Sequence, residues 1–266
     1  MSVNSTEDEL GTPDDVILTE VIDDHVLLIT INRPHRRNAF DAATLRALEA
    51  AIVSFESDDQ LWCAILTGST VVFSAGADLI AAREGHGPGT RNTPIGMFRD
   101  RPDKPIIAAV EGYALAGGLE LALSCDMIVS SATAQMGLPE AAKSLVAIGG
   151  GCFRLPKRIP YHLAMELILT GKRWPATRFA EIGLVNRITE PGEAVQGARE
   201  LAAEVVAAGP IAVRASKAIA ARSFDWSDAD GWSNQMAYAK AIMGSEDMME
   251  GLIAFGEKRP PVWKGR

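Results

Sequence analysis

Two segments of this chain follow one plan. VVFSAGADL (residues 71–79) and PIIAAVEGYALAGGLEL (residues 105–121) each run from an apolar strand through an alanine–glycine turn into a polar or helical stretch. Glycine at such a turn lets backbone N–H groups point into a cavity without a side chain in the way. Where the second turn opens a helix, its first amides have no intrahelical acceptor, and the helix dipole adds positive potential there. If the amides of Ala75 and Gly117 converge, they form a two-donor oxyanion hole for an ester or thioester oxygen. Tight packing is the competing reading, since strand–glycine–helix turns serve it in many α/β proteins. The turn is not a P-loop, because no Lys-Ser/Thr follows, and no GxGxxG occurs.

Two carboxylates sharpen the question. Glu120 lies three residues after Gly117, on the same helical face, in an otherwise apolar run. A carboxylate there costs free energy unless it is paired, capping, turned to solvent or used. Glu140, in MGLPEAAKS, follows Pro139 and reads either as a first-turn helix acid or as a second acid/base group.

The remaining pattern is α/β and then helical. VILTEVIDDHVLLITINRP reads as a hairpin turning at Asp23-Asp24, and DAATLRALEAAIVSFESDD as an amphipathic helix capped by Asp41. WCAILTG, KPIIAAVEG and MIVSSATAQMGLPE supply buried strands, and residues 82–103 mix Gly, Pro and charge as a loop with one helical turn would. PATRFAEIGLVNRIT predicts a helix, a stop at Gly183 and a short strand; four helices then follow to the C-terminus. The expected division is a polar tail over 1–15, an α/β core over 16–200 and a helical region over 201–266.

Composition removes several function classes. A net charge of -8 argues against a nucleic-acid binder working through a broad basic surface. Cys63, Cys125 and Cys152 sit singly, without a CxxC pair, so a disulfide framework is not expected and a reducing cytoplasm fits. The acidic N-terminus lacks the cationic and apolar regions of a signal peptide, and no apolar run approaches the ~18 residues of a membrane span. His25, His35, His86 and His162 stand apart from the glycine turns, and no GxSxG, HExxH or Cys/His cluster occurs, which leaves nucleophilic hydrolysis and metal catalysis without a motif.

Over residues 16–266 the chain resembles the crotonase superfamily, the enoyl-CoA hydratase/isomerase family. The resemblance is carried by INRPHRRNAF, FSAGADL, AAVEGYALAGGLELALSCDMIV, MGLPEAAKSLVAIGGGCFRLPKRIP, LTGKRWPATRFAEIGLVNRI and EGLIAFGEKRPPVWKGR, in that order. It implies an α/β fold, a spiral of ββα units with a C-terminal helical region that packs homotrimers or homohexamers. It implies an enoyl-CoA hydratase adding water across the α,β double bond of an acyl-CoA thioester, with no metal and no cofactor beyond the coenzyme A of the substrate. It assigns the oxyanion amides to Ala75 and Gly117 and the acid/base pair to Glu120 and Glu140, Glu140 serving the α-carbon and Glu120 the water. Arg36, Arg37, Ala77, Asp78, Leu79, Ile148, Phe255 and Lys258 fall along the acyl-CoA, the cations toward its phosphates and adenine. A solvated end is the other reading of the basic tail that holds Lys258, Arg259, Lys264 and Arg266.

The resemblance has one departure. Where many members carry Pro-Gly about eight residues beyond the second acid, this chain has Ala147-Ile148. Ile148 still offers an N–H for the water but adds a side chain. A dienoyl-CoA isomerase-like member carries a carboxylate at that position, so Ile148 speaks against that activity. Retention of both acids favours hydration or dehydration over Δ3,Δ2-isomerisation. A carnitinyl-CoA dehydratase-like enzyme, an isomerase of the same fold and a non-catalytic acyl-CoA-binding protein are the alternatives.

Overall fold

Short, fully apolar strands joined by glycine turns can be satisfied only by a sheet covered on both faces. The chain builds one. The computed structural model describes residues 15–88 and 96–266, so most of the expected N-terminal tail and the middle of the 82–103 stretch lie outside the described residues. In chain order the elements are β1 (Ile17–Asp23), β2 (Val26–Ile31), α1 (Ala42–Ser57), β3 (Cys63–Thr67), α2 (Leu79–Arg83), α3 (Gly96–Arg99), β4 (Ile106–Val110), β5 (Tyr113–Leu115) and α4 (Gly117–Ala122). They continue with β6 (Met127–Ser131), β7 (Gln135–Gly137), α5 (Gly151–Arg154), α6 (Tyr161–Thr170), β8 (Arg173–Pro175), α7 (Ala176–Glu181), β9 (Arg187–Thr189), α8 (Ala194–Val206), α9 (Pro210–Arg222), α10 (Asp228–Ile242) and α11 (Glu246–Glu257).

Six strands form one sheet in the order β1-β2-β3-β4-β6-β9, and three form a second in the order β5-β7-β8. The β1–β2 hairpin is antiparallel, and every later pair in the large sheet is parallel. Two strands of the large sheet are each followed by one in the small sheet and then by a helix: β4, β5, α4, and again β6, β7, α5. That repeat is the expected ββα spiral. Gly112 makes the first corner at φ +59, where a Cβ would stand 1.7 Å from the carbonyl oxygen of Val71.

The predicted apolar strand at the start of VVFSAGADL does not form. The Val72 carbonyl accepts instead from Asn38 Nδ2 at 2.8 Å and from the Ser69 amide at 3.0 Å, and only Ser74 makes an isolated bridge, to Ala114. A second difference concerns the helical region. The apolar stripe of α8 (Ala194, Ala198, Leu201, Ala202) packs on Val26, Cys63, Ile65, Ile107, Ala109 and Val129 of the large sheet. The boundary expected at residue 200 therefore falls inside a helix that belongs to the sheet's own core. No helix of the described residues is long and apolar enough to cross a membrane.

Candidate active site

The two alanine–glycine turns meet. Ser74 and Leu115 are joined through the Leu115 amide, which donates to the Ser74 carbonyl at 3.0 Å, and the Ser74 amide donates to Tyr113 at 3.0 Å. Contact is so close that a Cβ on Gly118 would lie 2.2 Å from the Ser74 carbonyl oxygen, and one on Gly76 (φ +91) would lie 2.7 Å from the Gly117 nitrogen. Ala116, just before the helix, is held at φ 52 and ψ -126, a strained conformation outside the regular helical and strand regions.

The expected pairing of Ala75 with Gly117 needs correction. The Ala75 amide is committed, donating to the Arg37 carbonyl at 3.0 Å. Beside Gly117 lies Ala77 instead: a Cβ built on Gly117 would be 3.5 Å from the Ala77 nitrogen. Among the described residues neither the Ala77 nor the Gly117 amide donates to another backbone or side-chain group. These two N–H groups are the available donors.

Residues of INRPHRRNAF hold this loop. Arg37 and Asn38 adopt left-handed conformations at φ 52 and 53. Asn38 is fully buried; it accepts from the Arg33 amide at 2.8 Å, and its carbonyl accepts from Ser74 Oγ at 2.7 Å. Buried Arg33 pairs with Asp41 at 2.9 Å and with Asp78 at 3.5 Å, tying together the caps of α1 and α2. Asp78, expected along the substrate, thus has its side chain occupied: Oδ1 accepts from the Ile80 and Ala81 amides at 3.1 and 3.0 Å. Leu79 begins α2 and is exposed. The side chains of Arg36 and Arg37 are exposed and make no ion pair among the described residues.

Glu120 sits on the first turn of α4, only 4% exposed. Its Oε1 accepts from the Gly151 amide at 2.9 Å, and the Gly149 amide also donates to the carboxylate. Burial nevertheless dominates and raises its pKa above the ordinary carboxylate value, against the pull of the two amides and of Arg154. The three glycines 149–151 are what allow this wrap, since a Cβ on Gly149 would stand 2.8 Å from Glu120 Oε2.

Glu140 differs. Its Oε2 is buried and has no hydrogen-bond partner among the described residues. Burial pushes its pKa up to about 7, and the charge of Glu120 adds to the rise, so the two carboxyls sense one another. The structure brings together the two acids, the glycine turn at 149–151 and, through α4, the free amide of Gly117. Ile148 flanks this turn with its side chain 86% exposed, while Ala147 takes the buried place.

The C-terminal residues stand elsewhere. Phe255 is 88% exposed, and Lys258 caps α11 in a left-handed conformation; neither enters the contacts around Glu120. The tail is not a solvated end. Arg259 pairs with Glu250 at 2.6 Å and with Glu257 at 2.7 Å, Lys264 and Arg266 pair with Glu246, and the Lys264 and Gly265 amides donate to Asp247 at 2.7 and 2.9 Å. Three of its four cations are therefore neutralised within the chain.

The chain as a whole has close relatives. The Enoyl-CoA hydratase/isomerase family model matches residues 22–266. The chain belongs to that family. Among solved structures, an enoyl-CoA hydratase from Mycobacterium tuberculosis H37Rv is 47% identical and superposes with a TM-score of 0.91, over 94% of this chain and 99% of that one. An enoyl-CoA hydratase from Mycobacterium marinum is 46% identical with the same TM-score and coverage. A carnitinyl-CoA dehydratase from Salmonella arizonae is 42% identical over 249 residues, which is 90% of this chain and 95% of the relative. The fold of this hydratase/isomerase family member is thus the crotonase spiral expected from the motifs.

Arg33, Asn38 and Arg154 were not among the residues singled out from the sequence. Each is buried in a hydrogen-bond network that spans separate segments. Asn38 and Arg33 had a signal, since both sit in the INRPHRRNAF motif; Arg154 had only its place in CFRLPKRIP.

Proposed function

We propose that this chain hydrates an α,β-unsaturated acyl-CoA thioester with Glu120 and Glu140 as its acid/base pair and the amides of Ala77 and Gly117 as its oxyanion donors. The reading rests on one observation above the rest: two carboxyls that sense one another in unlike surroundings, Glu120 buried and gripped by two amides of the glycine turn, Glu140 half-buried with its buried Oε2 unpartnered among the described residues. That the chain is a hydro-lyase of this family follows from its relatives; the assignment of roles is ours.

The geometry divides the chemistry. With the thioester oxygen between the two free N–H groups, negative charge that develops on it meets donors already in place, each worth about 3–4 kcal/mol in the transition state. Glu120, its carboxylate held by the Gly149 and Gly151 amides, takes a proton from water as the water oxygen bonds to the β-carbon. Glu140, poised near neutrality, gives its proton to the α-carbon. Glu120 ends protonated and Glu140 ionised; proton exchange with solvent restores the pair. General acid/base action of this kind contributes roughly 10²–10⁴ in rate. Dehydration is the same path reversed. The name of the Salmonella arizonae relative makes a β-hydroxyacyl-CoA such as carnitinyl-CoA the second substrate class to assay.

Arg36 and Arg37, exposed and without an ion pair among the described residues, supply cations for the CoA phosphates. Lys258 is the one tail cation without an ion pair among the described residues and serves the same end. The exposed apolar residues of α10 and α11, among them Trp232, Met236, Met249, Leu252 and Phe255, form the trimer contact. We place the enzyme in the cytoplasm, on the strength of its three unpaired cysteines.

The test is loss of the conjugated-thioester absorbance of crotonyl-CoA. Glu120→Gln and Glu140→Gln are each expected to lower kcat by at least about 10² while binding of the CoA product changes less than threefold. Near-normal turnover in either variant would overturn the assignment, and an inert wild type would favour a binding protein.

A further inference from the structure

Arg154 is a buried cation, 6% exposed, with no ion-pair partner among the described residues. Its guanidinium donates to three separate segments: Nη1 to Ser124 Oγ at 2.8 Å and to the Gly149 carbonyl at 3.3 Å, and Nη2 to the Phe98 carbonyl. Each contact leads back to Glu120. Ser124 Oγ donates in turn to the Glu120 carbonyl at 2.9 Å. Gly149 belongs to the turn whose amides grip the Glu120 carboxylate. The Phe98 ring lies against that same turn, where a Cβ on Gly149 would come within 3.1 Å of it. Gly150, at φ +108, admits the guanidinium, since a Cβ there would be 2.9 Å from Nη1.

We propose that Arg154 is the positioning residue of Glu120, fixing the main chain behind its Cα through Ser124 and the amide cradle in front of its carboxylate through Gly149. The idea rests on Glu120 being the group that handles the water. A planar fork of donors is what three acceptors in different directions require; the point charge of a lysine cannot satisfy them all. A buried guanidinium is expensive to desolvate, so a role in packing alone would be better filled by an apolar side chain. The positive charge also favours the ionised form of Glu120, in a neighbourhood that includes Glu140 and Cys152 around the carboxyl and Arg101, Arg158 and Cys125 around Arg154.

Steady-state hydration of crotonyl-CoA is compared for wild type, Arg154→Met, Arg154→Lys, Glu120→Gln and the double variant Glu120→Gln/Arg154→Met, with thermal melts to check folding. Arg154→Met is expected to lower kcat about thirtyfold with KM within threefold, and to move the acid limb of the kcat–pH profile upward. Arg154→Lys should recover part of the loss. In the Glu120→Gln background the methionine should cost less than about twofold, because the group it positions is gone. Should Arg154→Met fail to fold, Ser124→Ala, which cuts only the relay to the Glu120 carbonyl, must show the same non-additivity with Glu120→Gln. Penalties that multiply in the double variant, or a wild-type kcat and pH profile in Arg154→Met, overturn the proposal. A wild-type rate in Glu120→Gln instead removes the Glu120 assignment itself, and the two failures are thereby distinct.

Discussion

At the scale of single residues, the informative contrast is between Glu120 and Glu140. Both are carboxyls whose pKa burial raises, yet Glu120 has two amides of the glycine turn to receive its charge while Glu140 has only its own. Glu140 carries the larger consequence for stability. Its native pKa of about 7 stands above the ordinary 4.5, so between those values the folded chain holds a proton that the unfolded chain has released. Stability from this group is therefore present below pH 4.5 and is lost as pH rises through 7. Glu140→Gln should remove that penalty. In urea titrations it is expected to be more stable than wild type at pH 8, by about 1–2 kcal/mol after allowance for solvent screening of a group that is not fully buried. The advantage should vanish near pH 4.5. Equal stability at pH 8 would mean that the native carboxyl is not held near neutrality.

At the scale of elements, much was legible and the failures have physical causes. The hairpin, α1 with its Asp41 cap, β3, β4, β6 and the four C-terminal helices follow from apolar periodicity and caps, which are local. The three-residue strands β5 and β8 carry too few residues to show a period; they exist because the small sheet offers partners. Glu120 drew notice as a carboxyl in an apolar run, whereas Glu140, an acid after Pro139, drew its role only from the family resemblance. The donor beside Gly117 was not, since Ala75 and Ala77 flank the same glycine and only the hydrogen bond to Arg37 tells which amide is occupied. The tail misled for a related reason: its cations were visible in sequence, but their partners lie on α11 and are found only by folding back. Asp247 anchors that return, accepting from two tail amides while 5% exposed. Asp247→Ala is expected to cost about 2–3 kcal/mol in denaturant unfolding, and hydration per folded molecule should hold within a few-fold. A loss below about 0.5 kcal/mol would mean that the tail is held by other contacts, of which the Trp263 indole on Gly251 and the Ala207 carbonyl is the foremost.

At the scale of the whole molecule, the apolar faces of α10 and α11 are the feature that a lone chain leaves unaccounted for. Trp232 is 75% exposed, Leu252 60% and Phe255 88%, on helices already packed on one side. A patch of this kind is uncommon on a monomer. Light scattering at micromolar concentration is expected to give three or six times the 28.4 kDa chain mass. A monomeric mass would leave the patch to another partner.

The meeting of the two turns also bears on how the enzyme comes into being. Ser74 pairs with Ala114, Phe40 with Ala77, and Glu111 caps α8 through the Ala194 amide at 2.9 Å, so the proposed catalytic centre is stitched from segments far apart along the chain. Parallel strands add to this, because none can pair until its crossover has closed. The proposed oxyanion site needs one amide from the turn before α2 and one from the start of α4, so it forms only when both are in place. Recovered activity is consequently a late clock of refolding: helical signal returns first, and turnover only when the last long-range closure is made.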